Sequence, residues 1–294
     1  MFDLRYHVAS LAAVFVALVI GIFVGVGLSG RGFVNDAERK NFEARIDELR
    51  ADRDSAVARA ASAQRRGDAL DDFADTTYTS LVRRRLAGTT VGVVFVGSVD
   101  QGLAGTIRRT VSDAGGRIVR MRALRVPLDP EAVDQALRGD PDTRDLAGAD
   151  SRSRLGTTIA RELVAGGQTP VLDRLSSVLV EEQLGLSKAP LDAVVVARPA
   201  RPQQGQTEDF LSGLYSGLAA SQVPSVGVEE SDARPSAVPP FRASGLATVD
   251  AVDTAVGDVA LVFLLEGARP GSYGLGADAV DGVLPAAPQP VPGE

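Results

Sequence analysis

The chain has 294 residues, 45% of them hydrophobic, and a formal charge of −7, which leaves room for one or two domains plus accessory segments. The acidic balance argues against nucleic acid as the main partner, because phosphate binding needs a basic surface. With no cysteine and one histidine, His7, the chain has no disulfide, no thiolate nucleophile or thiolate metal site, and little scope for histidine acid–base chemistry.

A seven-residue tail (1–7) leads into 21 residues, Val8 to Leu28, without a charge. That is the length that crosses a hydrocarbon core of roughly 30 Å. Arg5 and His7 form a short n-region and Gly25-Val26-Gly27 is a small-x-small pattern, so a cleaved leader is the alternative. The apolar run exceeds the usual h-region of roughly 7–15 residues, and no A-x-A site follows. The segment 8–28 therefore reads as a retained signal-anchor in membrane lipid, with the bulk of the chain outside the cytoplasm. Arg31, Arg39 and Lys40 pull a simple positive-inside count the other way, but that count weakens ahead of a long domain.

Ala9, Ala13, Ala17, Gly21, Gly25 and Ser29 recur every fourth residue. Small side chains at this spacing let two backbones approach in lipid. Ala13, Ala17, Gly21 and Gly25 are therefore the expected helix-pairing face of a homodimer.

Residues 29–32, Ser-Gly-Arg-Gly, read as a glycine swivel, and 33–74 as a coiled-coil stalk. From Asn35 to Phe73 there is no proline and one glycine, Gly67, the composition of a long exposed helix. Steps of four and three pick out Phe42, Ile46, Leu49, Arg53, Ala56, Ala60, Ala63, Gly67 and Leu70 as a heptad seam. The seam is weak alone, since alanines bury little area and Arg53 costs stability while restricting register. Tethering in a membrane raises effective concentration and supports pairing. A lone solvated stalk and a helix awaiting a partner coiled-coil protein are the other readings. At about 1.5 Å per residue the stalk reaches roughly 60 Å.

After a connector (75–88) the pattern changes to an α/β domain (89–275). TTVGVVFVG is a buried strand, LAGTIRRTVSDAGG a helix with Leu103, Ile107 and Val111 on one face, and GRIVRMRAL a strand. This is a right-handed βαβ unit. LDAVVVARP, EDFLSGLYSGLAASQ and VPSVGVE repeat strand, helix, strand. Leu155 to Leu186 looks helical apart from Gly166-Gly167, and TAVGDVALVFLLEGA is a helix packed on the sheet. The fold class is α/β, an open doubly wound, mostly parallel sheet of about four or five strands behind a transmembrane helix and a stalk. The Pro-rich tail, 276–294, reads as disordered.

Chemistry is harder to find. The loop GSVDQGLAG has glycines at 97, 102 and 105, which match neither dinucleotide nor P-loop spacing. It reads as a βα turn capped near Asp100. No G-x-S-x-G is present, and the acidic EESDARP reads as a solvated turn. The chain is expected not to be an enzyme, and no cofactor is evident.

The opening RYHVASLAAVFVALVIGIFVGVGLSG, the Arg/Glu-rich stalk and the VGVVFVG strand together resemble the actinobacterial MctB family, named for mycobacterial copper transport. Arg5, His7, Ser10, Leu11, Ala12, Ala13, Val14 and Phe15 form the most specific block, and the resemblance covers most of the chain. It implies a cell-envelope protein of copper homeostasis or efflux, sometimes described as an outer-membrane channel. Copper enters by this resemblance only. The residues themselves offer Met1, His7 and Met121, widely separated, whereas copper favours thiolate, thioether and imidazole. The short continuous strands also lack the alternation of a membrane barrel. Two functions remain in view: a component of copper transport, or a non-enzymatic envelope scaffold that binds a partner in wall remodelling or division. A nucleotide- or phosphate-binding enzyme is a third.

Overall fold

The computed structural model describes residues 4–29, 36–185, 187–198 and 201–288. The chain divides into two units, Met1–Asp68 and Ala69–Glu294.

In the first unit, helix α1 (Leu4–Ser29) contains an apolar stretch, His7–Gly27, long enough to cross a membrane. Its side chains are exposed throughout that stretch. Such a surface is satisfied by hydrocarbon, and a helix satisfies its own backbone there. Helix α2 (Asp36–Val82) begins in this unit and runs past the expected stalk end at 74. The residues read as a connector are thus helical as far as Val82. Solvated ion pairs line it, Arg39–Glu43 at 3.7 Å and Asp47–Arg50 at 3.3 Å, each adding about 0.2–0.5 kcal/mol. Gly67 stays within the helix at a cost of about 1 kcal/mol relative to alanine. Of the expected swivel, only Ser29 is described.

The second unit is an α/β fold. Its strands are β1 (Thr90–Val96), β2 (Arg117–Leu124), β3 (Val180–Leu184), β4 (Ala193–Ala197), β5 (Ser225–Val228), β6 (Ala247–Val249) and β7 (Ser272–Tyr273). Its helices are α3 (Gln101–Asp113), α4 (Pro130–Arg138), α5 (Arg152–Ala165), α6 (Pro170–Leu179), α7 (Gln206–Ala219), α8 (Val238–Ala243) and α9 (Ala255–Leu265). The sheet order is β3-β2-β1-β4-β5-β6-β7. All pairings are parallel except β2 with β3. The chain winds outward from β1 in both directions, as a doubly wound sheet does.

Both faces of the sheet are covered, which is why its central strands are apolar without alternation. On one face Val91, Val93 and Phe95 of β1 pack with α3, α9 and the end of α2. On the other, Val94 and Val96 pack with α4 to α8. Each fully buried aliphatic side chain contributes about 1.5–3 kcal/mol. The first face explains why α2 continues to Val82. Val82 and Leu86 are fully buried, and Arg85 pairs with Glu266 at 2.7 Å while lying over the Phe263 ring.

Helices α5 and α7 cross with their backbones touching. A Cβ on Gly213 would stand 2.0 Å from the Ser153 carbonyl oxygen, and one on Gly156 would stand 2.1 Å from that of Phe210. Arg152, 1% exposed, latches the same pair. It bonds Asp134 of α4 at 2.8 Å and, through Nε, Gln206 of α7 at 2.8 Å.

Three expectations are corrected. The sheet has seven strands, not four or five. Leu155 to Leu186 is not all helix, because VEEQL leaves α6 and pairs antiparallel with β2; with two glutamates it shows no apolar run. β6 and β7 have three and two residues, too few for an alternation to register. Part of the tail read as disordered folds back onto the sheet. Asp281 Oδ2 accepts from the Ser272 amide at 2.8 Å, and Gly274 N donates to the Gly282 carbonyl at 3.2 Å. Residues 289–294 lie outside the described ones.

Candidate functional site

In a doubly wound sheet the strand order reverses at one place, and ligands bind outside the carboxyl ends of the strands there. Here the reversal falls between β1 and β4. β1 is followed by Gly97-Ser98 and β4 by Arg198. Asp100 caps α3 through a bond from the Leu103 amide at 3.1 Å, so the glycine-bearing loop is the ordinary capped turn expected of it.

A cavity of about 180 Å³ lies at this edge, bordered by Asp100, Arg198, Arg201, Glu230 and Arg234. Most of the nearby carboxylates are already committed. Glu229 accepts from the Ser236 hydroxyl at 2.8 Å and from the Ala237 amide. Asp250 accepts from the Leu275 and Gly276 amides at 2.7 and 3.1 Å. Asp253 accepts from the amide and the hydroxyl of Ser231, both at 2.7 Å. These side chains staple loops. Glu230 differs: burial, and then the charges of Asp100, Asp253 and Asp232, raise its carboxyl above the ordinary value.

A second polar cluster joins α2 to the domain. Asp258 of α9, 5% exposed, accepts from the Thr110 hydroxyl and from Arg109 at 3.3 Å. Burial raises its carboxyl, and these two partners pull it back. Tyr78 at the end of α2 donates to Asp113 at 3.2 Å, and burial raises its phenol, helped by the charges of Asp258 and Asp113.

The residues singled out in the sequence fall in the first unit and the end of the stalk. Ala13, Ala17, Gly21 and Gly25 form one exposed stripe of α1, with open space around both glycines. Along α2, Phe42, Ile46, Leu49, Ala56, Ala60, Ala63 and Leu70 are exposed in the single chain. Arg53 pairs with Asp54 at 2.6 Å. His7 is exposed at the start of the apolar stretch, and Met121 is 3% exposed inside the core. Among the described residues no group of three or more histidine or acidic side chains is placed to hold a metal. The sequence reading did not single out Arg198; its sole signal was its position directly after the apolar run LDAVVVA.

These features define a class: an α/β domain preceded along the chain by a long helix and, before that, by a helix long and apolar enough to span a membrane. The family model for the copper transport outer membrane protein MctB matches residues 1–285, and the chain belongs to that family. A comparison with curated proteins finds no match.

Proposed function

We propose that the chain is a membrane-anchored cell-envelope component of copper homeostasis that acts by assembly and carries no copper site of its own. The family match is the observation that carries this reading, because it runs through both the apolar helix and the α/β domain. The donor set supports the second half: copper favours soft sulfur and imidazole ligands, and the described donors of that kind are an exposed His7 and a buried Met121. Copper is then cargo of the system, held by other chains or by several copies together. The domain is not built as a channel. Its sheet is open and helix-covered on both faces, whereas a membrane barrel closes on itself and turns alternate residues to lipid.

The same reading makes the protein non-enzymatic, with its bulk outside the cytoplasm and α1 pairing through Gly21 and Gly25. Deletion is expected to raise cellular copper and copper sensitivity, with purified full-length protein free of stoichiometric copper. Unchanged copper content and tolerance would refute it.

A second reading has its own support. Phe42 and Leu49 are more than 60% exposed on α2, four and three residues from Ile46, an apolar strip that suits a coiled-coil partner in an envelope scaffold. Photo-crosslinking from Ala56 or Ala60 separates the two, since self-crosslinks alone favour a homodimeric stalk and a different captured helix favours the scaffold.

A further inference from the structure

Glu230 follows β5 at the carboxyl end of the sheet and differs from the carboxylates around it. Glu229, Asp250 and Asp253 accept bonds from neighbouring loops. The Glu230 side chain has neither a hydrogen bond nor an ion pair among the described residues. It is half-buried, and its oxygens stay open to solvent. A Cβ on Gly102 would lie 3.2 Å from Asp100 Oδ1 and 4.0 Å from Glu230 Oε1, which sets both carboxylates over the first turn of α3. Burial, then the charges of Asp100, Asp253 and Asp232, raise the Glu230 carboxyl, and no cation counters them.

Glu230 borders two cavities, the one of about 180 Å³ described above and another of about 320 Å³. Arg234 borders both, and Arg201 borders the smaller. Both arginines are exposed, and neither forms an ion pair among the described residues. Arg198, by contrast, already faces the charge of Glu229 and bonds the Ser236 carbonyl at 2.8 Å. The larger cavity takes part of its wall from Gly276, Ala277 and Asp278. That segment is held by Asp250, which is 5% exposed and accepts from the Leu275 and Gly276 amides. Charges of both signs therefore border one space without pairing across it. A cation alone would leave the arginines unmatched, and an anion alone would be repelled by Glu230.

We propose that these cavities bind a small zwitterion, of amino-acid to dipeptide size, with a primary ammonium at Glu230 and a carboxylate at Arg201 and Arg234. A charge-assisted bond at each end fixes its direction. Ala233, Ala251 and Ala277 make the rest of the wall small and apolar, which suits methyl-sized side chains. The volumes lie at or below the low end of ligand cavities, roughly 300–1,000 Å³, which sets the size. The place is also the one where doubly wound sheets hold ligands, outside the strand carboxyl ends beside the reversal of strand order. The site stands apart from the copper reading and survives its failure.

The test is calorimetry and saturation-transfer NMR on the full-length chain in detergent. The probes are alanine and alanyl-alanine, each also as its N-acetyl form and as its C-terminal amide. At least one free zwitterion is expected to bind, and blocking either of its ends to weaken it about 10-fold. Glu230→Gln removes no internal bond, so the melting temperature is expected to hold while the free and acetylated forms come to bind alike. Arg201→Gln with Arg234→Gln is expected to erase the difference between the free form and its amide. Equal binding of free and blocked forms to the parent chain, or an unchanged preference in Glu230→Gln, would overturn the zwitterion assignment. No binding of alanine or alanyl-alanine at millimolar concentration would overturn the site.

Discussion

Gly213 and Gly217 stand four residues apart in α7, as Gly21 and Gly25 do in α1. In the α/β unit the spacing meets its counterpart inside the same chain, where Gly156 and Ala160 repeat it on α5. A Cβ on Gly217 would come within 2.8 Å of the Ala160 methyl group, whereas nothing lies within 4 Å of the same position on Gly21 or Gly25. The driving forces differ too. The α5–α7 crossing is flanked by Ile159, Leu163, Leu214 and Leu218, all buried, so removal from water stabilises it. In lipid that term vanishes and close packing of small residues must carry association. Spacing thus says how closely a helix can be approached, and its surroundings decide by what.

The comparison breaks most sharply at Gly213→Val, whose new side chain has no room beside the Ser153 carbonyl. It is expected to cost about 4 kcal/mol or to leave no folded domain, read by thermal unfolding of the full-length chain. A melting temperature within a degree or two of the parent, taken as about 1 kcal/mol or less, would mean that the crossing is looser than described.

Arg152→Met comes next, at about 3 kcal/mol, because it leaves the Asp134 carboxylate without its buried partner. This substitution also has a pH signature. Burial alone would raise Asp134, but the Gly148 amide and Arg152 outweigh it and hold the carboxyl below its ordinary value. The stabilisation is therefore present above the unfolded value near 3.8 and is lost as pH falls through the lower folded one. Denaturant midpoints measured from neutral to acid pH should converge for parent and variant. A gap that widens in acid would reverse the assignment.

Thr157→Val is milder, about 1 kcal/mol, since it removes one bond across the crossing, from Oγ1 to the Gly213 carbonyl at 3.1 Å. Gly21→Ile with Gly25→Ile should leave the melting of the α/β unit unchanged while abolishing the dimer in detergent. Analytical ultracentrifugation and circular dichroism on one sample check both halves, and a surviving dimer would refute the pairing face.

Elements whose residues repeat a local rule were legible in the sequence. TVGVVFV and AVVVA are strands because both faces are buried, and Asp100 caps α3 as its position foretold. The long helix α2 was visible from composition, but its end was not. Tyr78, Val82 and Leu86 fall in what the sequence reads as a connector, and their burial depends on α3 and α9, which arrive later in the chain. VEEQL pairs through backbone bonds with β2, and backbone bonds leave no side-chain pattern. The sheet-edge cavity was hidden for a related reason: Asp100, Arg198 and Glu230 come together only through the topology, with no motif joining them.

Strand β3 ends the sheet on one side, and its outer backbone faces solvent beside the exposed Glu181 and Glu182. Anchoring in a bilayer confines copies to two dimensions and raises the frequency with which such edges meet. A bare edge under those conditions is a template for joining one sheet to the next. Two adjacent negative charges on a five-residue strand set like against like whenever two copies align antiparallel. The glutamates that concealed β3 in the sequence thus also oppose pairing of one sheet edge with the next.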